Sequence, residues 1–520
     1  MPQRLLAALK AAPLFWTVFA ALTVAVVVPF WRVDYLPFLD APQHLATIDV
    51  IHRASAPEVA ALYTVDLAST QYLLYYVTTD VLAYAVGVEN ANKVFLSLYA
   101  ALLPLSLLYA LVGLGRAKVA ALLAFPLVFN RFLFYGFINY LFAFPLLFFA
   151  IGLLARRGPE WRWRAELALA GLAVLSFYSH LQIFLVHVGA VGLFALARWR
   201  GLRLALRELS HLAPALVLFG VWLALSAGLA GGDAWESDVS RRYATLDKAQ
   251  WEPLHETFSQ AHTRLLSTYW DAWDERLTAA LLVGLGLLIA IRGLGVPAAS
   301  WRDLAPEALT LFVLLFYLCL PTSYRWIWPV NWRFLPLAVL CGLLWGRAQL
   351  PRVAHGAFTL LFGAVAAGAI ALHVQRFDAF DAEAREFDGV LAKLAPGSRC
   401  LSVIFDSGSA VVEGPVYLHF GQYHAVRNAG LAVYSFAEAP QSPIRFVPRP
   451  QGGPPPTVLR SEWKPNEFRF NTDNRYYDHF LVRGAPAGFA RRVGFGDEVQ
   501  QVFSTGKWTL YHYPRGAAPG

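Results

Sequence analysis

PLFWTVFAALTVAVVVPFWRVDYLPFLDAPQH, residues 13–44, decides how this chain is read. It opens with an apolar run from Pro13 to Trp31 and leaves it through Arg32, Asp34 and Asp40, with His44 at D-x-x-x-H spacing from Asp40. A helix of about 20 apolar residues crosses the hydrocarbon of a bilayer. The run is too long for the core of a signal peptide, and no small-x-small cleavage site precedes Trp31. The segment is therefore expected to stay attached as a first membrane span. Two carboxylates then lie where the bundle meets water.

The remainder of the chain agrees. Its 520 residues are 57% hydrophobic and 15% charged, with a mean hydropathy of +0.46. These values exclude an ordinary soluble globule. Apolar stretches at 13–31, 93–114, 118–134, 137–155, 166–180, 181–197, 209–229, 277–292, 305–320, 333–346 and 354–374 predict about eleven spans. With the N-terminus in the cytoplasm, the inner loops hold Arg116/Lys118, Arg156/Arg157, Arg198/Arg200, Arg292/Arg302 and Arg347/Arg352. The outer segments hold most of the acids, from Asp34 to Asp66 and from Asp233 to Glu275. That asymmetry is the positive-inside pattern, and it explains the formal charge of +8 without nucleic acid. A multi-pass protein of a bacterial inner membrane is implied.

Residues 69–88 are apolar enough to span. Counting them would invert every later loop, and Thr78-Thr79-Asp80 at their centre is costly in lipid. They are read instead as part of a long outer loop, 32–92, whose helices lie along the membrane surface. In a second outer loop, 230–276, Leu254, Phe258, Ala261 and Leu265 form one helical stripe. Residues 376–520 regain charge, Gly and Pro. An amphipathic stretch, Phe377 to Leu394, precedes alternating runs at Cys400–Phe405, Asp478–Val482 and Trp508–Tyr513. These predict a soluble α/β domain outside the membrane, with the Pro/Gly-rich 440–456 as a loop inside it. The expected fold is an all-α polytopic membrane bundle over 1–375 followed by that domain. Cys319, Cys341 and Cys400 lie apart and offer neither a disulfide framework nor a zinc spacing.

Asp40-Ala41-Pro42-Gln43-His44, a few residues past the first span, resembles the first outer loop of the GT-C glycosyltransferases, polytopic enzymes that use polyprenyl-phosphate sugars. Members often carry an Asp, or Asp-Glu, with a His four residues on. Here Ala41 replaces the second acid. The long loop, the span beginning Lys93-Val94-Phe95, the Gly115-Arg116 turn and the trailing soluble domain follow the same layout. The resemblance implies an inverting transfer of sugar from a polyprenyl-phosphate carrier to a lipid, glycan or protein acceptor at the periplasmic face. Asp40, with Asp34 in support, is the candidate catalytic carboxylate. It suits either proton abstraction from an acceptor hydroxyl or, with His44, a divalent cation such as magnesium or manganese. His44 is equally a candidate phosphate partner.

Trp332-Arg333-Phe334-Leu335-Pro336 opens the tenth span and resembles a feature of the protein O-mannosyltransferase and aminoarabinose transferase branches. Arg333 offers a forked, permanently charged donor set for a phosphate at headgroup depth. It also fits a snorkelling residue beside Tyr324, Trp326, Trp328 and Trp332, and Arg325 shares that ambiguity. His180 at the end of the fifth span is a second candidate for the phosphate, although a hydrogen-bonded turn residue fits it better. Arg131, Tyr135 and Asn139, in the turn between the third and fourth spans, would line a sugar pocket or simply fill a turn. His419 and His424 show no recognisable partners. The competing functions are a transporter or flippase for a lipid-linked or anionic solute, and a polymerase or ligase of surface polysaccharide. Transporters more often hold polar residues at the bilayer midplane, and here they gather at the outer ends of the spans.

Overall fold

The structure is a computed structural model. It describes residues 12–514, apart from 69, 158–162, 230–248, 272, 294–300, 325–326, 346–349, 440, 448–460 and 472. Contacts divide the chain into two compact units. One holds Met1–Trp31, Leu96–Leu133 and Phe137–Gln375; the other holds Arg32–Phe95, Phe134–Gly136 and Arg376–Gly520. The first outer loop, which the sequence groups with the membrane bundle, thus packs with the C-terminal residues.

In the first unit, each stretch expected to span carries helix. Among the described residues, six helical runs are long and apolar enough to cross a membrane: Pro13–Trp31, Val88–Gly113, Lys118–Tyr135, Ile138–Ala155, Leu202–Leu225 and Arg352–Leu391. Others are shorter than the expected eleven spans require. Ala305–Cys319 stops just before Pro321, and Leu181–Ala197 starts abruptly at His180. Helix Ile138–Ala155 is apolar all round and almost wholly buried, as a central helix must be. It packs on Trp163–Ser179 and Leu181–Ala197, and Ala305–Cys319 lies against Leu181–Ala197 and Phe334–Gly342. The predicted stripe of residues 254–265 is two short helices, Leu254–Ser259 and Ala261–Leu266, broken at Gln260. The break turns Leu265 inward while Leu254 and Phe258 stay exposed, so no single face forms.

The second unit is built on a five-stranded sheet. Its strands are β2 (Arg399–Ile404), β3 (Leu431–Val433), β5 (His479–Arg483), β6 (Gln500–Thr505) and β7 (Trp508–His512), in the order β3-β2-β5-β7-β6. Strand β2 runs parallel to β3 and β5, whereas β5–β7 and β7–β6 are antiparallel. The parallel strands β2 and β5 are buried almost throughout, and the edge strand β6 is largely exposed. Leu401, Val403, Phe480, Val482 and Phe489 fill the core. The segment 440–456, expected as loop, holds strand β4 (Ile444–Phe446). It pairs antiparallel with β1 (Tyr63–Val65), joining Tyr63 to Phe446. Within the stretch read as a surface segment lies helix Leu74–Val86, about 20 Å long and so well short of a span. Helix Ala41–His52 packs on Gln422–Asn428.

Candidate functional site

Asp40 occupies the cap position of helix Ala41–His52, whose first turn takes Pro42 without losing a hydrogen bond. The backbone around it is clamped. Leu39 N–H donates to Phe134 O at 2.8 Å, and His44 N–H donates to Asp40 O at 2.9 Å. Gly136, at φ +88°, lies so close that a Cβ there would stand 2.7 Å from Asp40 Cβ. Only a bare glycine backbone fits that space and that conformation.

His44 explains why the glycine is held. Its Nε2 donates to Gly136 O at 2.9 Å, and its Nδ1 accepts from the Tyr76 hydroxyl at 2.8 Å. Burial lowers the His44 imidazole from its usual value to about 4, so it is neutral. Both nitrogens are engaged by protein, which leaves His44 no lone pair for a cation and no free donor for a phosphate. The sequence reads His44 as a cation ligand or a phosphate partner, and here it ties Gly136 and Tyr76 to the helix of Asp40. Among the described residues, no three His, Cys, Asp or Glu side chains gather as a metal site.

A further pair approaches from the C-terminal part of the same unit. His419 Nδ1 lies 2.7 Å from Glu462 Oε2, and His419 Nε2 lies 3.8 Å from Asp40 Oδ1. Side-chain exposure rises along this line from 1% at Glu462 and 2% at His419 to 19% at Asp40. The rings of Tyr434 and Trp463 flank the imidazole. Gln43 Nε2 donates to Tyr434 O at 2.8 Å and so ties that wall to the helix of Asp40. Burial raises the Glu462 carboxyl well above its usual range and lowers the His419 imidazole to about 4. The sequence singles out His419 without a partner and passes over Glu462. No spacing motif links two residues on either side of a Pro/Gly-rich segment.

Asp34 has different partners. Its carboxylate takes a 2.7 Å hydrogen bond from Arg385, both groups being half exposed. Its backbone N–H and that of Tyr35 donate to Asp381 Oδ1.

In the other unit, Arg333 and His180 do come together. Arg333 Nη1 lies 3.3 Å from His180 Nε2 and 3.4 Å from Gln182 Oε1, and its guanidinium covers the Phe137 ring at 4.6 Å. The Tyr140 hydroxyl donates to Arg333 O, and its ring meets the His180 ring edge to face. His180 also occupies the N-cap position of helix Leu181–Ala197, without a side-chain hydrogen bond to the first turn. Asn139 is buried, and its carbonyl accepts from Ser179 Oγ at 2.6 Å. Arg131 donates to the carbonyls of Thr263 and Ser267, so it serves the fold. Tyr135 is half-buried in the unit that holds Asp40. Arg325 and Trp326 lie outside the described residues.

The polytopic helices, the long first loop and the trailing sheet-bearing region together form a fold shared with solved membrane-protein structures. In particular, the chain is similar to two solved structures of ArnT from Cupriavidus metallidurans. The one bound to undecaprenyl phosphate superposes with a TM-score of 0.58 at 11% identity, over 97% of this chain and 99% of that one. The apo structure gives 0.53 at 12% identity, over 95% and 97%. No family model and no curated protein matches the sequence.

Proposed function

We propose that this protein is a membrane glycosyltransferase that takes a sugar from a polyprenyl-phosphate carrier and passes it, with inversion, to a lipid, glycan or protein acceptor. The periplasmic face of a bacterial inner membrane is the proposed location. The observation that carries the reading is Asp40: a partly exposed carboxylate, fixed just past the first span by a glycine backbone and a buried histidine. The undecaprenyl phosphate in the similar ArnT structure supports the donor class.

In the proposed reaction the acceptor oxygen attacks the anomeric carbon as the carbon–oxygen bond to phosphate breaks. The polyprenyl phosphate leaves with the electron pair, and Asp40 takes the acceptor's proton. Arg333, with His180 and Gln182 against it, binds the phosphate through its planar fork. No step is routed through a cation, and Asp34 is assigned none.

Asp40→Asn tests the reading. The amide keeps the shape and loses the base, so transfer from a polyprenyl-phosphate sugar in detergent or vesicles should fall by about 10²–10⁴-fold. Turnover equal to that of the unsubstituted protein removes the proposal, and so does movement of an intact solute across vesicles without transfer.

A further inference from the structure

We propose that Glu462 and His419 form a buried positioning pair that aims an N–H at Asp40 and holds its carboxylate oriented to receive the acceptor's proton. The inference rests on the reading of Asp40 given above. His419 cannot turn freely: Nδ1 is held by Glu462 at 2.7 Å, and Tyr434 and Trp463 flank the ring. Its remaining nitrogen, Nε2, therefore faces Asp40 Oδ1, at 3.8 Å. At that separation the two groups interact electrostatically without a direct hydrogen bond. The sign of the interaction depends on which nitrogen carries the proton.

Burial pushes the Glu462 carboxyl toward its protonated form and the His419 imidazole toward its neutral form, and with Nδ1 held by Glu462 at 2.7 Å one arrangement of the shared proton satisfies both. The Glu462 hydroxyl then donates to Nδ1, which leaves the imidazole proton on Nε2, pointing at the Asp40 carboxylate. With the opposite tautomer, a nitrogen lone pair would face a carboxylate and repel it. The pair runs from the interior outward and ends on the one partly exposed group among the three. That is the order expected of side chains that act through Asp40 and do not themselves touch substrate.

The test compares H419A, H419Q, E462A and E462Q, each alone and combined with D40N. kcat and KM are measured for a polyprenyl-phosphate sugar, and thermal midpoints for every variant. Both alanine variants should lose about 10–100-fold in kcat with KM nearly unchanged. E462Q retains a neutral donor to Nδ1, and H419Q can place an amide N–H near the Nε2 position. Each should recover most of the loss of its alanine counterpart. None should lower the rate further in the D40N background.

Glutamine variants that match the thermal midpoint of the unsubstituted protein, yet are as slow as the alanine variants, overturn the inference. So does a loss confined to KM, or one that multiplies with D40N. If the alanine variants fail to fold, the glutamine variants and their D40N combinations decide. Loss in D40N with normal kcat in H419A and E462A refutes the pair alone, whereas normal kcat in D40N refutes the transferase reading itself.

Discussion

Gly136→Ala removes no functional group, yet it should cripple the protein, and the geometry says by how much. An alanine at φ +88° costs about 1–2 kcal/mol of conformational energy. Its Cβ would also stand 2.7, 3.1 and 3.2 Å from the Cβ, N and Cα of Asp40. Carbon atoms rest at about 3.5–4.0 Å, so Asp40 must retreat by roughly 1 Å. Two of these contacts are backbone atoms in a clamped segment, and they cannot swing aside as a long side chain does. A displacement of about 1 Å at a reacting group costs on the order of 100-fold in rate. Gly87 supplies the control: it has φ +78°, yet a Cβ there would meet nothing within 4 Å. Gly87→Ala should thus carry the same conformational penalty and keep its activity. Initial rates of transfer and thermal midpoints in detergent, measured on both variants, separate strain from displacement. If Gly136→Ala turns over as fast as Gly87→Ala while matching its midpoint, Asp40 is not where the chemistry occurs.

Three further outcomes follow from the same structure. His44 is held neutral with its pKa lowered to about 4, below the usual 6.5, so the unfolded chain binds the extra proton between those values. The stability from this group is complete above pH 6.5 and is lost as pH falls toward 4, by at most about 3 kcal/mol; His44→Gln should flatten that slope in thermal melts taken from pH 7 to 4. Arg333→Lys keeps the charge but loses the fork and the face over Phe137. It should raise KM for the lipid-phosphate donor about tenfold, and an unchanged KM would place the phosphate elsewhere. Asp34→Asn breaks a half-exposed ion pair with Arg385, of the solvent-screened kind that contributes little to stability. Its transfer rate should stay within about threefold of the unsubstituted protein, and a loss like that of Asp40→Asn would restore Asp34 to the catalytic set.

How much of this was legible in the sequence depends on the range over which each signal acts. The apolar helices and strands β2, β5 and β7 were legible because burial imposes a local pattern: continuous hydrophobicity or a period of two. Asp40 was legible because its place beyond the first span is a local fact too. Strand β4 was not, since three residues inside a Pro-rich segment carry no period, and its partner β1 lies far off in the chain, Tyr63 pairing with Phe446 383 positions later. The grouping of residues 32–95 with residues 376–520 was hidden for the same reason.

Glu462 and His419 were hidden by distance, but their burial makes them informative once seen. Taking a carboxyl and an imidazole almost wholly out of water is unfavourable, and an apolar pair of similar volume often stabilises a fold at least as well. What an apolar pair cannot supply is direction. One hydrogen bond fixes the imidazole, and the fixed imidazole presents its other nitrogen to the carboxylate that the sequence had already marked. A purely structural role for the pair would be satisfied by any well-packed substitution, whereas a role through Asp40 requires a donor at Nε2, and that difference is what the glutamine variants measure.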